Sequence, residues 1–129
     1  MEIHLQAGRL AVNENTTWRA LCRVDEIADG ASVGFPAPPG GFVGLFALRR
    51  GDLIYAYVNS CPHIGLSLDW APGNFLSSDR SRIVCANHGA EFVIETGRCV
   101  AGPCLGERLE PVMIHIEDGV LHVPEDAGR

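Results

Sequence analysis

Apolar residues along this chain fall in short runs separated by glycine, proline and aspartate, a pattern that predicts successive β-strands and little helix. Trp18 to Val24 (WRALCRV) half-alternates, and Asp25 to Asp29 leaves room for one helical turn before Gly30. Gly34 to Gly41 (GFPAPPGG), with three prolines and three glycines, predicts a loop. Phe42 to Leu48 (FVGLFAL) and Leu53 to Val58 (LIYAYV) are rich in β-branched and aromatic residues and predict a hairpin about Arg49 to Asp52. Trp70 to Ser81 is turn-rich and reads as a surface loop, and Arg82 to Val84 as a short strand. Glu91 to Glu95 (EFVIE) alternates up to a turn at Thr96-Gly97, and Arg98 to Pro103 should return beside the Cys85 to His88 loop. Pro111 to Glu117 and Val120 to Val123 flank Asp118-Gly119, the strongest hairpin signal in the chain and one suited to a type I′ turn. Pro124 to Arg129 reads as a frayed tail. There is no internal repeat, coiled coil or low-complexity run.

The fold class expected from this pattern is all-β, in one domain spanning 1–129. With 129 residues, 47% of them apolar, the chain can build a real but modest core. A formal charge of −6 argues against nucleic acid or an anionic membrane surface as partner, since both need a basic face. The N-terminal MEIHLQAGRL lacks a basic stretch followed by an apolar one, and no apolar run reaches about 18 residues, so a cytoplasmic location is expected.

Chemistry concentrates in two mixed pairs. CPH at Cys61 to His63 and CANH at Cys85 to His88 are separated by twenty-one residues, and each pair follows a predicted strand. Either pair alone reads as a turn with a buried cysteine and a surface histidine. Two together read as a metal site with sulfur and nitrogen ligands. Structural zinc uses the same ligand types, but its modules usually pair Cys with Cys and His with His, whereas both pairs here are mixed. A two-iron two-sulfur cluster can use the mixed order, one iron taking the cysteines and the other the histidines. The cysteines number five; Cys22, Cys99 and Cys104 would remain as thiols in a reducing compartment, although Cys99 and Cys104 are close enough in sequence to cross-link.

CPHIGLSLD at Cys61 to Asp69 and CANHGAEF at Cys85 to Phe92 resemble the two cluster loops of Rieske-type [2Fe–2S] ferredoxins, and GPC at Gly102 to Cys104 resembles that family's third, proline-containing loop. The resemblance extends from AYVN at Ala56 to Asn59 out to LEPV and EDGVLHV near the end, covering most of the chain after about Gly41. It implies one [2Fe–2S] cluster per chain, with Cys61 and Cys85 on the buried iron and His63 and His88 on the exposed iron through Nδ1. Gly65 and Gly89 would let the loop backbones approach the sulfides. The implied fold is a β-sandwich base carrying a small inserted cluster-binding subdomain at about Asn59 to Gly106. Two features depart from the family: a longer gap between the pairs, placed in Trp70 to Ser81, and the Gly34 to Gly41 insertion.

Two thiolates leave an oxidised cluster neutral where four leave it doubly negative, so Rieske centres lie at about −150 to +300 mV, above plant-type ferredoxins. High-potential members carry serine after the second His-Gly, where Ala90 stands here, and a cross-loop disulfide at the positions of Leu66 and Asn87. The resemblance therefore implies a low-potential soluble carrier rather than a quinol-oxidising subunit. Exposed Nε2–H groups on His63 and His88 should couple reduction to proton uptake at alkaline pH, visible as a pH-dependent midpoint. Ile64, Leu66, Gly89, Ala90 and Pro103 either form an apolar tip for electron exit or simply pack the three loops together. Asp69, Glu91 and Glu95 are candidates for steering a basic partner, with a solvated face the plainer reading. His4, His115 and His122 lack ligand spacing, and Trp18 and Trp70 read as packing residues.

The function implied is electron carriage without catalysis, passing single electrons from a reductase to a terminal oxidoreductase, most commonly an oxygenase. A small Rieske subunit of a larger oxidoreductase, such as a nitrite reductase, is the alternative from the enzyme class. A zinc-stabilised interaction module is the alternative from the binding class, distinguished by being colourless. The chain is expected to be too short for the mononuclear iron domain of an oxygenase α subunit.

Overall fold

The computed structural model describes residues 2–4, 17–62, 67–69, 71, 73–86 and 89–129. Among them the strands are β1 (Glu2–His4), β2 (Trp18–Arg23), β3 (Ser32–Phe35), β4 (Leu45–Arg50), β5 (Leu53–Val58), β6 (Arg82–Val84), β7 (Glu91–Val93), β8 (Cys99–Ala101), β9 (Ile114–Glu117) and β10 (Val120–Pro124). The helical turn expected after β2 is a single 3-10 turn at Val24–Glu26, whose preceding Arg23 N–H donates to Glu26 Oε1 at 2.8 Å. The all-β class holds. The strands form three antiparallel sheets: a base sheet β1-β9-β10-β2, a middle sheet β3-β4-β5 and a small sheet β6-β7-β8.

The near-continuous apolar runs of β4 and β5 arise because the middle sheet is covered on both faces. Leu45 and Ala47, with Ile54 and Ala56, enter one core with Ile114, Leu121 and Val123 of the base sheet. The intervening Phe46 and Leu48, with Tyr57, enter a second core with Ile83 and Phe92 of the small sheet. Strand alternation therefore divides the interior in two, and both candidate ligand cysteines lie in the second core.

Boundaries differ from expectation around the glycine- and proline-rich segment. Strand β3 runs through Phe35, the loop occupies 36–44, and β4 begins only at Leu45. Gly34 pairs with Phe46 beneath the Phe75 ring, where an added Cβ would stand 3.1 Å from Cζ. This glycine serves close approach inside a strand, not a turn. Phe42 lies in the loop and is 96% exposed. The β4–β5 hairpin closes at Gly51-Asp52, two residues tighter than expected, and the Asp118-Gly119 turn has both φ values positive, at 53° and 75°, as type I′ requires.

The described residues of 70–81 do not form a simple surface loop. Phe75 is fully buried, its ring stacked on Phe46 with centroids 4.3 Å apart, and its carbonyl accepts from Val84 N–H at 2.9 Å. Nor does the C-terminus fray. Glu125 N–H donates to Thr17 O at 2.7 Å, Gly44 N–H to Gly128 O at 2.6 Å, and the Arg19 guanidinium to the carbonyls of Glu125 and Ala127 at 3.2 and 2.8 Å. Deleting 125–129 strips these partners at once and should cost about 2–6 kcal/mol by net hydrogen-bond worth. Urea denaturation with an unchanged midpoint would show the tail to be peripheral.

Candidate metal centre

Three loops converge at the end of the second core. The first leaves β5 and is closed at its base by Asn59, whose Oδ1 accepts from Leu68 N–H at 2.8 Å while its own N–H donates to Gly44 O at 3.1 Å. Asn59 Nδ2 also reaches Asp69 Oδ1 at 3.5 Å. An asparagine side chain thus does what a further strand pair would otherwise do, holding both ends of the loop together. Inside it, Cys61 is 2% exposed.

The second loop leaves β6. Cys85 is completely buried; its N–H donates to Ala90 O at 2.8 Å, and its carbonyl accepts from Gly89 N–H at 3.0 Å. Gly89 has φ +67°, the left-handed conformation that lets the loop turn back within so few residues. Ala86 N–H donates to Leu68 O at 2.9 Å, clasping the second loop to the first.

The third loop follows β8 and rests on both others. Gly102, at φ +94°, lies so close that an added Cβ would stand 2.8 Å from Ala90 Cα. Cys104 is fully buried with its Sγ 3.6 Å from Cys61 Sγ. Ala90 is buried beneath this contact and packs loops together, so it does not contribute to an exposed tip, whereas Gly89 and Pro103 are exposed. His63, Ile64, Gly65, Leu66, Trp70, Asn87 and His88 lie outside the described residues.

The remaining candidates fall elsewhere. Cys99 S–H donates to Ala101 O at 3.2 Å, and no disulfide joins any of the five cysteines. Glu95 is paired with Arg50 at 2.7 Å on the surface. His115 and His122 face each other across β9 and β10, with Trp18 edge-on to His115 at a centroid distance of 5.1 Å. Sequence reasoning missed Asn59 and Cys104 as site residues. Asn59 carried a local signal, an Asx-capable residue immediately before the CxH loop; the proximity of Cys104 to Cys61 is a product of the fold.

The donor chemistry fits a thiolate-bound metal centre. Two thiols on clasped loops share an apolar core, where their thiolates would need a compensating positive charge. The fold and site thus define a small all-β module in which two clasped loops each carry a buried cysteine. The chain belongs to the Rieske family: the Rieske [2Fe-2S] domain model matches residues 17–121, and the cofactor of that domain is a [2Fe–2S] cluster. No curated protein matches the sequence. Among solved structures, a chain from a complex of reduced oxygenase and oxidized ferredoxin in carbazole 1,9a-dioxygenase aligns over 87% of this chain and 96% of its own, at 24% identity and TM-score 0.67. The ferredoxin of carbazole 1,9a-dioxygenase from Nocardioides aromaticivorans IC177 aligns over 84% of this chain and 98% of its own, at 23% identity and TM-score 0.67. The terminal oxygenase of carbazole 1,9a-dioxygenase from Novosphingobium sp. KA1 aligns over 84% of this chain but 29% of its own, at 18% identity and TM-score 0.68.

Proposed function

We propose that this protein is an electron carrier that passes single electrons from a reductase to a terminal oxidoreductase, an oxygenase being the recipient best supported. The observation that carries the reading is the pair of buried cysteines, Cys61 and Cys85, on the clasped loops of a Rieske domain, and likeness to a ferredoxin of a dioxygenase system supports it. Bound in this site, a [2Fe–2S] cluster supplies reversible one-electron redox chemistry. The chain's part is to bind and shield. Cys61 and Cys85 would hold the inner iron from within the apolar core, and His63 and His88 the outer iron; Asn59, the Ala86–Leu68 bond and the Gly102–Ala90 contact hold the loops that carry them. Such prior fixation keeps reorganisation small when charge changes.

The whole chain is read as one domain, with the cluster-binding subdomain at about 59–106. Among the described residues no helix is long and apolar enough to cross a membrane, and we place the protein in the cytoplasm. Ala90 offers no hydroxyl, so a midpoint potential below zero is expected. Anaerobically purified protein should contain two irons and two sulfides per chain and give a reduced-state EPR signal of mixed nitrogen and sulfur ligation. A colourless zinc protein would overturn the reading, and a midpoint well above zero would overturn the low-potential assignment.

A further inference from the structure

Cys104 is the buried thiol at the site that this reading does not use. Its Sγ lies 3.6 Å from that of Cys61, a hydrogen-bonding distance for sulfur in which either atom is able to donate. The third loop holds it there: Glu107 N–H donates to Cys104 O at 2.8 Å, Leu105 N–H donates to Gly102 O at 3.3 Å, and Gly102 is pressed against Ala90. A cysteine that ligates a metal gives up its proton. With Cys61 on the iron, Cys104 is the one member of the pair that still has a proton to donate.

We propose that Cys104 directs its S–H at the Cys61 sulfur and thereby raises the midpoint potential of the centre, an inference that rests on the assignment of Cys61 as a ligand. Reduction adds negative charge to the ligand sulfurs, so a donor placed on one of them binds the reduced form more strongly than the oxidised form. Both sulfurs are buried, so water does not replace the bond if the donor is lost. Ala90 contributes no side-chain donor from the second loop, and Cys104 supplies one from the third. Cys104 is thus a positioning residue that acts through Cys61.

The test compares wild-type holoprotein with Cys104→Val and Cys104→Ser. Valine fills a similar volume without a donor, and serine keeps a donor on a shorter side chain. At unchanged iron content, Cys104→Val should lower the midpoint in protein-film voltammetry and move the iron–cysteine stretching bands in resonance Raman to higher frequency. Cys104→Ser should recover part of both changes. A role in packing alone would instead leave the valine variant at the wild-type potential and make serine the more disruptive replacement. Full iron with an unshifted potential in Cys104→Val therefore overturns the inference alone, whereas wild-type protein that incorporates no iron overturns the site assignment with it. If the valine variant does not load, brief exposure of wild-type holoprotein to D2O decides. A shift of the iron–cysteine bands on the timescale of thiol exchange supports the donor, and unshifted bands overturn it.

Discussion

The Cys85→Ser chain is expected to purify without colour and with little or no iron, while the Cys22→Ser chain keeps a full cluster. Cys85 is completely buried at the start of the second loop, and its backbone bonds to Ala90 and Gly89 fix it there. Serine offers a harder and far less acidic donor to a metal that favours thiolate. Cys22 provides the control because it packs at the margin of the other core. Burial, then the carboxylates of Glu26 and Asp25, push its thiol pKa up, which keeps it protonated and a poor metal ligand. Iron and sulfide content, with far-UV circular dichroism to confirm folding, checks the pair. Full iron in Cys85→Ser would remove Cys85 from the ligand set.

The parts of this molecule legible in its sequence are those determined by neighbours along the chain. Strand alternation, the Asp118-Gly119 turn and the two Cys–His pairs each need only a few adjacent residues to be recognised, and the all-β class and the cysteines' place past strand ends followed from them. What stayed hidden depends on contacts between distant residues. Gly34 reads as loop because glycine beside proline usually is; its actual constraint is the Phe75 ring, which the fold delivers from the other side of the first ligand loop. Pro124 to Arg129 reads as a tail because it is short and polar, yet Gly128 packs against the Gly44 backbone only because it has no Cβ; one added at Gly128 would stand 2.7 Å from Gly44 C. For Ala90 the sequence leaves an exposed tip and loop packing equally open, and only the contact with Gly102 favours packing.

The same distance dependence sets the second large effect. Phe46→Ala should destabilise the protein by about 3–5 kcal/mol, the usual cost of deleting a buried aromatic ring. Phe46 is fully buried on the middle sheet, packs on Tyr57 at a centroid distance of 5.9 Å and stacks on Phe75 with the planes only 6° apart. Its loss leaves Phe75 without its partner face, and Phe75 in turn hydrogen-bonds through its carbonyl to Val84, the residue before Cys85. Phe75→Ala should therefore cost a similar amount, and the double variant should fall short of the sum by about 0.5–1.5 kcal/mol, the worth of an aromatic pair beyond its buried area. Urea unfolding of the apo chains measures all three. The two residues separate at the cluster: Phe75→Ala loosens the strand that presents Cys85 and should release iron to a chelator faster than Phe46→Ala does at equal loss of stability. Equal release rates at equal stability would mean that the core supports the site only through global folding, and that the bond from Phe75 to Val84 has no separate part in holding the second loop.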